Sequence, residues 1–242
     1  MFKRNQYLIM AFTFLLCVGL LSLGTLTAKD TVKADDRERV QNATTVMSEI
    51  MGVKEGGIPN QLLSRAEAIA VFPHMVKGGF IVGGEYGKGL VSRRMDNGKW
   101  STPAFIKIGG GNFGLQIGAQ ATDLVLVFTS KDGFKGLMNG KVKLGADAAV
   151  AAGPVGREAQ AGTDVQLKSP VLAYSRSKGL FAGIVLDGAV VSIDDSANRR
   201  VYGKEISAED ILYNGKARMN DVVMPFAREL EKDAAAAKRV TD

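Results

Sequence analysis

Phe105-Ile-Lys-Ile-Gly-Gly-Gly-Asn-Phe-Gly-Leu-Gln-Ile-Gly-Ala-Gln-Ala-Thr-Asp-Leu-Val-Leu-Val-Phe128 is the stretch that decides the fold. It holds three apolar, β-branched or aromatic runs: Phe105–Ile108, Leu115–Ile117 and Leu124–Phe128. Gly, Asn or Asp punctuates each of them, which is the pattern of short strands joined by turns. Outward from it the pattern repeats. Phe80-Ile81-Val82 and Leu90-Val91 come before, and Ala146–Ala152, Glu158–Leu167, Val171–Ser175 and Leu180–Asp194 come after. Asp96-Asn97-Gly98 is a hairpin signal, because Asn and Gly accept the positive φ of tight hairpin turns.

Helical periodicity brackets the strands. Val40, Ala43, Val46, Met47, Ile50 and Met51 recur at spacings of three, four and seven, giving one apolar stripe over Asp35–Met51. A second run after Pro59 turns Leu62, Leu63, Ala66 and Ile69 inward, and Pro73 ends it. Lys131–Asn139 reads as a short helix. Ser207 with Asp210 three residues on is a helix start, and Pro225 opens a final helix to about Arg239. The fold class expected is α+β and β-rich: a bent antiparallel sheet, or a partly closed barrel, with N-terminal and C-terminal helices packed on it. The expected layout is a signal segment over 1–34 and one domain over 35–242, helical over 35–70, β-rich over 71–195 and helical over 205–240.

The N-terminus has Lys3-Arg4, an apolar stretch from Tyr7 to Leu26, and small residues up to Ala34. These are the parts of a secretory signal, with cleavage near Ala34 or Ala28 and a periplasmic or secreted destination. An uncleaved anchor helix is the alternative. Leu15-Leu16 before Cys17, the only cysteine, argue against acylation there. The chain carries a net charge of +6. Residues 1–34 hold Lys3, Arg4, Lys29, Lys33 and Asp30, a net three of those charges, so the remainder is mildly basic. That balance does not call for nucleic acid.

Several strings resemble chemical motifs and fail on context. Gly109-x-Gly111-x-x-Gly114 matches a dinucleotide fingerprint, but Leu115-Gln-Ile continues as a strand where a helix should begin. His74 is the only histidine and follows Pro73 in an expected turn, with no Gly-x-Ser-x-Gly elbow in the chain. Asp194-Asp195 and Glu209-Asp210 read as solvated or capping carboxylates rather than metal ligands. No cofactor, metal or catalytic residue is expected. Trp100 is expected to be a packing anchor with its ring N–H bonded. Arg93-Arg94 and Arg199-Arg200 are expected on the surface.

The candidate ligand-binding segment is Tyr174-Ser175-Arg176-Ser177-Lys178. On a strand its cations share one face, and Arg157 and Lys168 from neighbouring elements are expected to join Ser175, Arg176, Ser177 and Lys178 around a lipid head group. The plainer alternative is a charged edge strand kept soluble. A nucleophile made of Ser177 and Lys178 is disfavoured, because adjacent strand residues point apart.

Longer strings carry a family resemblance. They include Ala66-Glu-Ala-Ile-Ala-Val-Phe-Pro73, Lys77-Gly-Gly-Phe-Ile-Val-Gly-Gly84, Gly109–Ala119, Leu144-Gly-Ala-Asp-Ala-Ala-Val150, Gly153-Pro-Val-Gly156 and Tyr174–Gly183. In this order, over residues 38–212, the chain resembles the SYLF domain family. The resemblance implies a non-catalytic module that binds membrane lipids, phosphoinositides in eukaryotic members, some of which also bind actin and carry a Src-homology-3 or FYVE module. For an exported chain the expected partners are therefore membrane lipids, anionic phospholipid foremost, or a second copy of the chain, with no actin. An envelope scaffold or protein-interaction module is the alternative function. The helix over 35–51 departs from a basic membrane-binding helix, since Arg37 and Arg39 are set among Asp35, Asp36, Glu38 and Glu49. Packing on the sheet is the expected role of its stripe.

Overall fold

The computed structural model describes residues 32–53, 57–79, 82–113, 118–155, 169–177, 180–186, 188–203 and 206–241. Helix α1 spans Ala34–Gly52. Asp35 and Asp36 occupy its first turn, where carboxylates favour the helix dipole, and Asp36 accepts the backbone N–H of Lys33 at 3.2 Å. The short α2, Asn60–Arg65, follows. Four long strands come next: β1 Ala68–Gly79, β2 Val82–Arg93, β3 Ala104–Phe113 and β4 Gly118–Phe128. Helix α3, Lys131–Met138, is capped by the Ser130 hydroxyl, which accepts from Gly133 N–H. Short strands β5 Lys141–Lys143, β6 Val150–Ala152, β7 Val171–Ser177, β8 Leu180–Gly183 and β9 Val190–Ile193 complete the sheet. Helices α4 Asp195–Tyr202, α5 Ala208–Leu212 and α6 Met224–Thr241 end the chain.

One nine-stranded sheet has the order β5-β9-β3-β2-β1-β4-β7-β6, with β8 also paired to β7. Every pairing is antiparallel except β6 with β7. Alternation along the strands divides the side chains between two cores. One face carries Ile69, Val71, Leu90, Phe105, Val125 and Leu172 against Met47 and Ile50 of α1, Leu63 of α2, and Phe226 and Leu230 of α6. The other carries Phe72, Ile106, Leu126 and Phe128 against Phe134 of α3 and Leu212 of α5. Each such buried side chain stabilises the fold by about 1.5–3 kcal/mol. The α+β expectation holds, and so does the packing of the α1 stripe.

Four expectations change. The helix expected to run through Ile69 stops at Arg65, and Ile69 lies in β1. Pro73 does not end an element: it sits inside a central strand, at a bulge where β1 gains one residue on both neighbours. A proline is tolerated in such a place because the ladder is already interrupted. His74 takes the left-handed φ of 50° there, and its backbone N–H donates to Asp123 at 2.9 Å. Of the two readings given for Asp194-Asp195, capping holds. Asp194 is buried and caps α4. Trp100 is buried, but its ring N–H has no partner among the described residues. Its backbone N–H donates to Glu231, and the Arg94 guanidinium lies 4.5 Å from its ring centre. Arg93 is likewise buried rather than on the surface. The expected strand over Glu158–Leu167 and the run Leu115–Ile117 lie outside the described residues.

Candidate functional site

The residues singled out from sequence do not converge. Arg157, Lys168, Lys178 and the side chain of Ser177 lie outside the described residues. Ser175 and Arg176 leave β7 on opposite faces. The Ser175 hydroxyl shares a 2.6 Å hydrogen bond with Thr122 on β4. Arg176 turns toward α1, pairs with Glu49, reaches Asp123 at 3.8 Å and lies over Phe181. Its charge is met twice by carboxylates of its own chain, so it works as a tie between α1 and the sheet.

A polar cleft lies elsewhere, where the starts of α1 and α4 meet β2 and β3. It encloses about 290 Å³. The antiparallel register sets Lys88 directly opposite Lys107. Both lie on the sheet face that carries Leu90 and Phe105, beyond the apolar part of that face, with Tyr86 next along β2. Lys33 comes from the start of α1 and Ser196 from the start of α4.

The floor is an ion network. Arg39 donates to Asp194 at 3.0 Å, and Arg200 donates to both oxygens of Asp36 at 2.8 and 2.7 Å. Arg39 also lies 5.3 Å from the Phe105 ring centre. Burial pushes the Asp36 carboxyl up, but hydrogen bonds from Arg200 and Lys33 N–H and the charges of Arg200 and Arg39 outweigh it, and the group sits below the usual carboxylate range. Asp194 is likewise held low, with burial opposed by the Ser196 hydroxyl, Arg39 and Ala197 N–H. Both remain ionised, so Arg39 and Arg200 are compensated. Lys88 and Lys107 have no ion pair among the described residues. Arg200, expected on the surface, is therefore part of this network, and none of Lys88, Lys107, Arg39 or Asp36 was marked out by a motif.

A family model described as "Ysc84: Las17-binding protein actin regulator" matches residues 109–233. The chain belongs to this family of SYLF domains. Among curated relatives of the Ysc84 family, SH3 domain-containing protein PJ696.02 of Schizosaccharomyces pombe is 37% identical over 176 residues, 72% of this chain and 40% of that protein. LAS seventeen-binding protein 3 of Saccharomyces cerevisiae is 36% identical over 180 residues, 73% of this chain and 39% of that protein. The human SH3 domain-containing YSC84-like protein 1 is 33% identical over 162 residues, 66% of this chain and 47% of that protein. The chain thus spans about two-fifths of the length of the first two. One of these relatives is named for binding LAS seventeen, two are named for an SH3 domain, and the family's description adds actin regulation. Their names point to protein partners and overturn the expectation of membrane lipids as the partner with actin excluded.

Proposed function

We propose that this Ysc84-family chain is a non-catalytic interaction module whose partner is a protein of the actin-regulatory class, Las17 in type. The observation that carries the reading is the exposure of Tyr86 and Val76. They are register partners on β2 and β1, 52% and 51% exposed, on the sheet face that carries α1 and α6 but past the cover of those helices. A half-exposed aromatic beside a β-branched residue on a rigid sheet suits the centre of a protein interface, where tyrosine anchors carry much of the binding energy. The relatives' names support the class of partner.

The acidic, packed α1 supports this reading over insertion of that helix into a membrane. Its apolar stripe is buried in the core, and its N-terminal half is fixed by the Asp36, Arg39, Asp194 and Arg200 network. Among the described residues no helix is long and apolar enough to cross a membrane.

The test is retention of purified Las17 by the immobilised full chain, with Tyr86→Ser and Val76→Ser as variants. The reading expects saturable retention that weakens about tenfold in the double variant, roughly the loss of one good anchor. Retention unchanged in the double variant, or none at all, overturns it.

A further inference from the structure

We infer that the cleft between the starts of α1 and α4 is a binding site for a phosphate monoester dianion, gripped chiefly by Lys88 and Lys107. The first observation is their placement. Like charges directly opposite on neighbouring strands repel and destabilise a sheet, and here both lysines face one cleft rather than diverging into solvent. No carboxylate among the described residues lies within ion-pair distance of either. Every other strong charge of the cleft floor has its counter-ion: Arg39 has Asp194, and Arg200 has Asp36.

The second observation is the balance of charge. The lining holds the cations Lys33, Arg39, Lys88, Lys107 and Arg200 against the carboxylates Asp35, Asp36 and Asp194. The excess is two positive charges: Arg39 and Arg200 are paired, Lys33 and Asp35 cancel in the sum, and Lys88 and Lys107 remain. A phosphate monoester carries about −1.5 to −2 at pH 7, which matches that excess, whereas a single carboxylate meets half of it. Lysine ammonium groups hold phosphate as point charges and need no fixed fork geometry. The Ser196 hydroxyl also lines the cleft but already donates to Asp194 at 2.7 Å, and Asp36 and Asp194 occupy the starts of α1 and α4, so the grip rests on the two lysines. The Tyr86 ring closes one side and can cover the organic part of the ester. The site shares Tyr86 with the protein-partner reading, but its grip is on Lys88 and Lys107, which that reading does not use, so the two can fail separately.

The experiment is an amide-resolved NMR titration of the full chain with inorganic phosphate, then phenyl phosphate, with acetate as the carboxylate control. Lys107→Gln and Lys88→Glu are the variants. Lys88→Glu places opposite charges across β2 and β3, so its melting temperature should hold or rise while its phosphate binding disappears. Expected are saturable shifts at Lys88, Lys107 and Ser196, about tenfold weaker in Lys107→Gln, roughly one charge-assisted contact. Affinity should also fall below about pH 6, where the ester takes up its second proton. Shifts centred elsewhere, acetate binding as tightly as phosphate, or full affinity in both variants would each overturn the site. Should Lys88→Glu melt early, Lys107→Gln alone decides.

Discussion

Arg39, in the second turn of α1, and Asp194, the residue that caps α4, form a 3.0 Å ion pair in which each side chain is 5% exposed. They are 155 residues apart in sequence. Asp194 also accepts the Ser196 hydroxyl and Ala197 N–H, so one carboxylate caps a helix and holds another. Asp194→Asn keeps a capping oxygen but leaves the buried Arg39 charge only Asp36, 4.0 Å away and already held by Arg200. Breaking one side of such a pair costs about 3–5 kcal/mol. Urea unfolding of this variant should show a loss of that size, and a loss under about 1 kcal/mol would mean the network is solvated.

Acid should unfold the protein through the same network. Asp36 and Asp194 both have folded-state values below the ordinary carboxylate value. The stability they add is therefore complete above that ordinary value and is lost as pH falls through the folded one. Melting temperatures measured downward from pH 5 should drop steeply in the parent and less steeply in Asp36→Asn.

Asp233 on α6 should behave in the opposite sense. Burial pushes its carboxyl up to about 7, aided by the Glu229 charge against the opposing Lys232, and one of its oxygens has no partner among the described residues. Between the ordinary value and about 7 the unfolded chain releases this proton while the folded chain keeps it. Stability therefore falls as pH rises through that window. Asp233→Asn should raise the melting temperature at pH 8 by on the order of a few degrees and have little effect at pH 4. Equal shifts at both pH values would contradict the assignment.

Gly153 lies flat against the Tyr174 ring, where a Cβ would overlap the aromatic carbons. Tyr174 is fully buried and donates its hydroxyl to Pro154 carbonyl at 3.3 Å. Gly153→Ala should therefore destabilise by about 1–3 kcal/mol through overpacking. Tyr174→Phe should cost only about 1 kcal/mol, the net worth of one hydrogen bond. Thermal unfolding of the two variants compares the costs directly.

Arg176 was the centre of the site expected from sequence, and its partners assign it a structural role. Arg176→Ala should lower stability by up to about 1 kcal/mol, as for a partly exposed ion pair. It should leave retention of Las17 unchanged. A loss of retention with stability intact would return Arg176 to a binding role.

The local signals in the sequence were legible because they need only neighbours. The Asp96-Asn97-Gly98 turn forms, with Gly98 at φ 80°, and the α1 stripe and the Ser207 cap appear where the pattern puts them. The cleft was hidden by register. Arg94 bridges Trp100 beside the turn, and counting outward from that bridge sets Lys88 opposite Ile106. A one-residue irregularity follows, after which Val91 faces Ala104 and Lys88 faces Lys107. Without it, one of the two lysines would lie on the opposite sheet face. The pairing of Arg39 with Asp194 gave no signal, because nothing local couples residues so far apart. Pro73 misled for a related reason: only the tertiary sheet decides that a proline lands on a bulge.

The most direct measurement is biolayer interferometry of the immobilised full chain against purified Las17, run beside anionic phospholipid vesicles. The account predicts saturable Las17 binding that is weakened by Tyr86→Ser together with Val76→Ser. Tight binding of vesicles with no response to Las17 would contradict it.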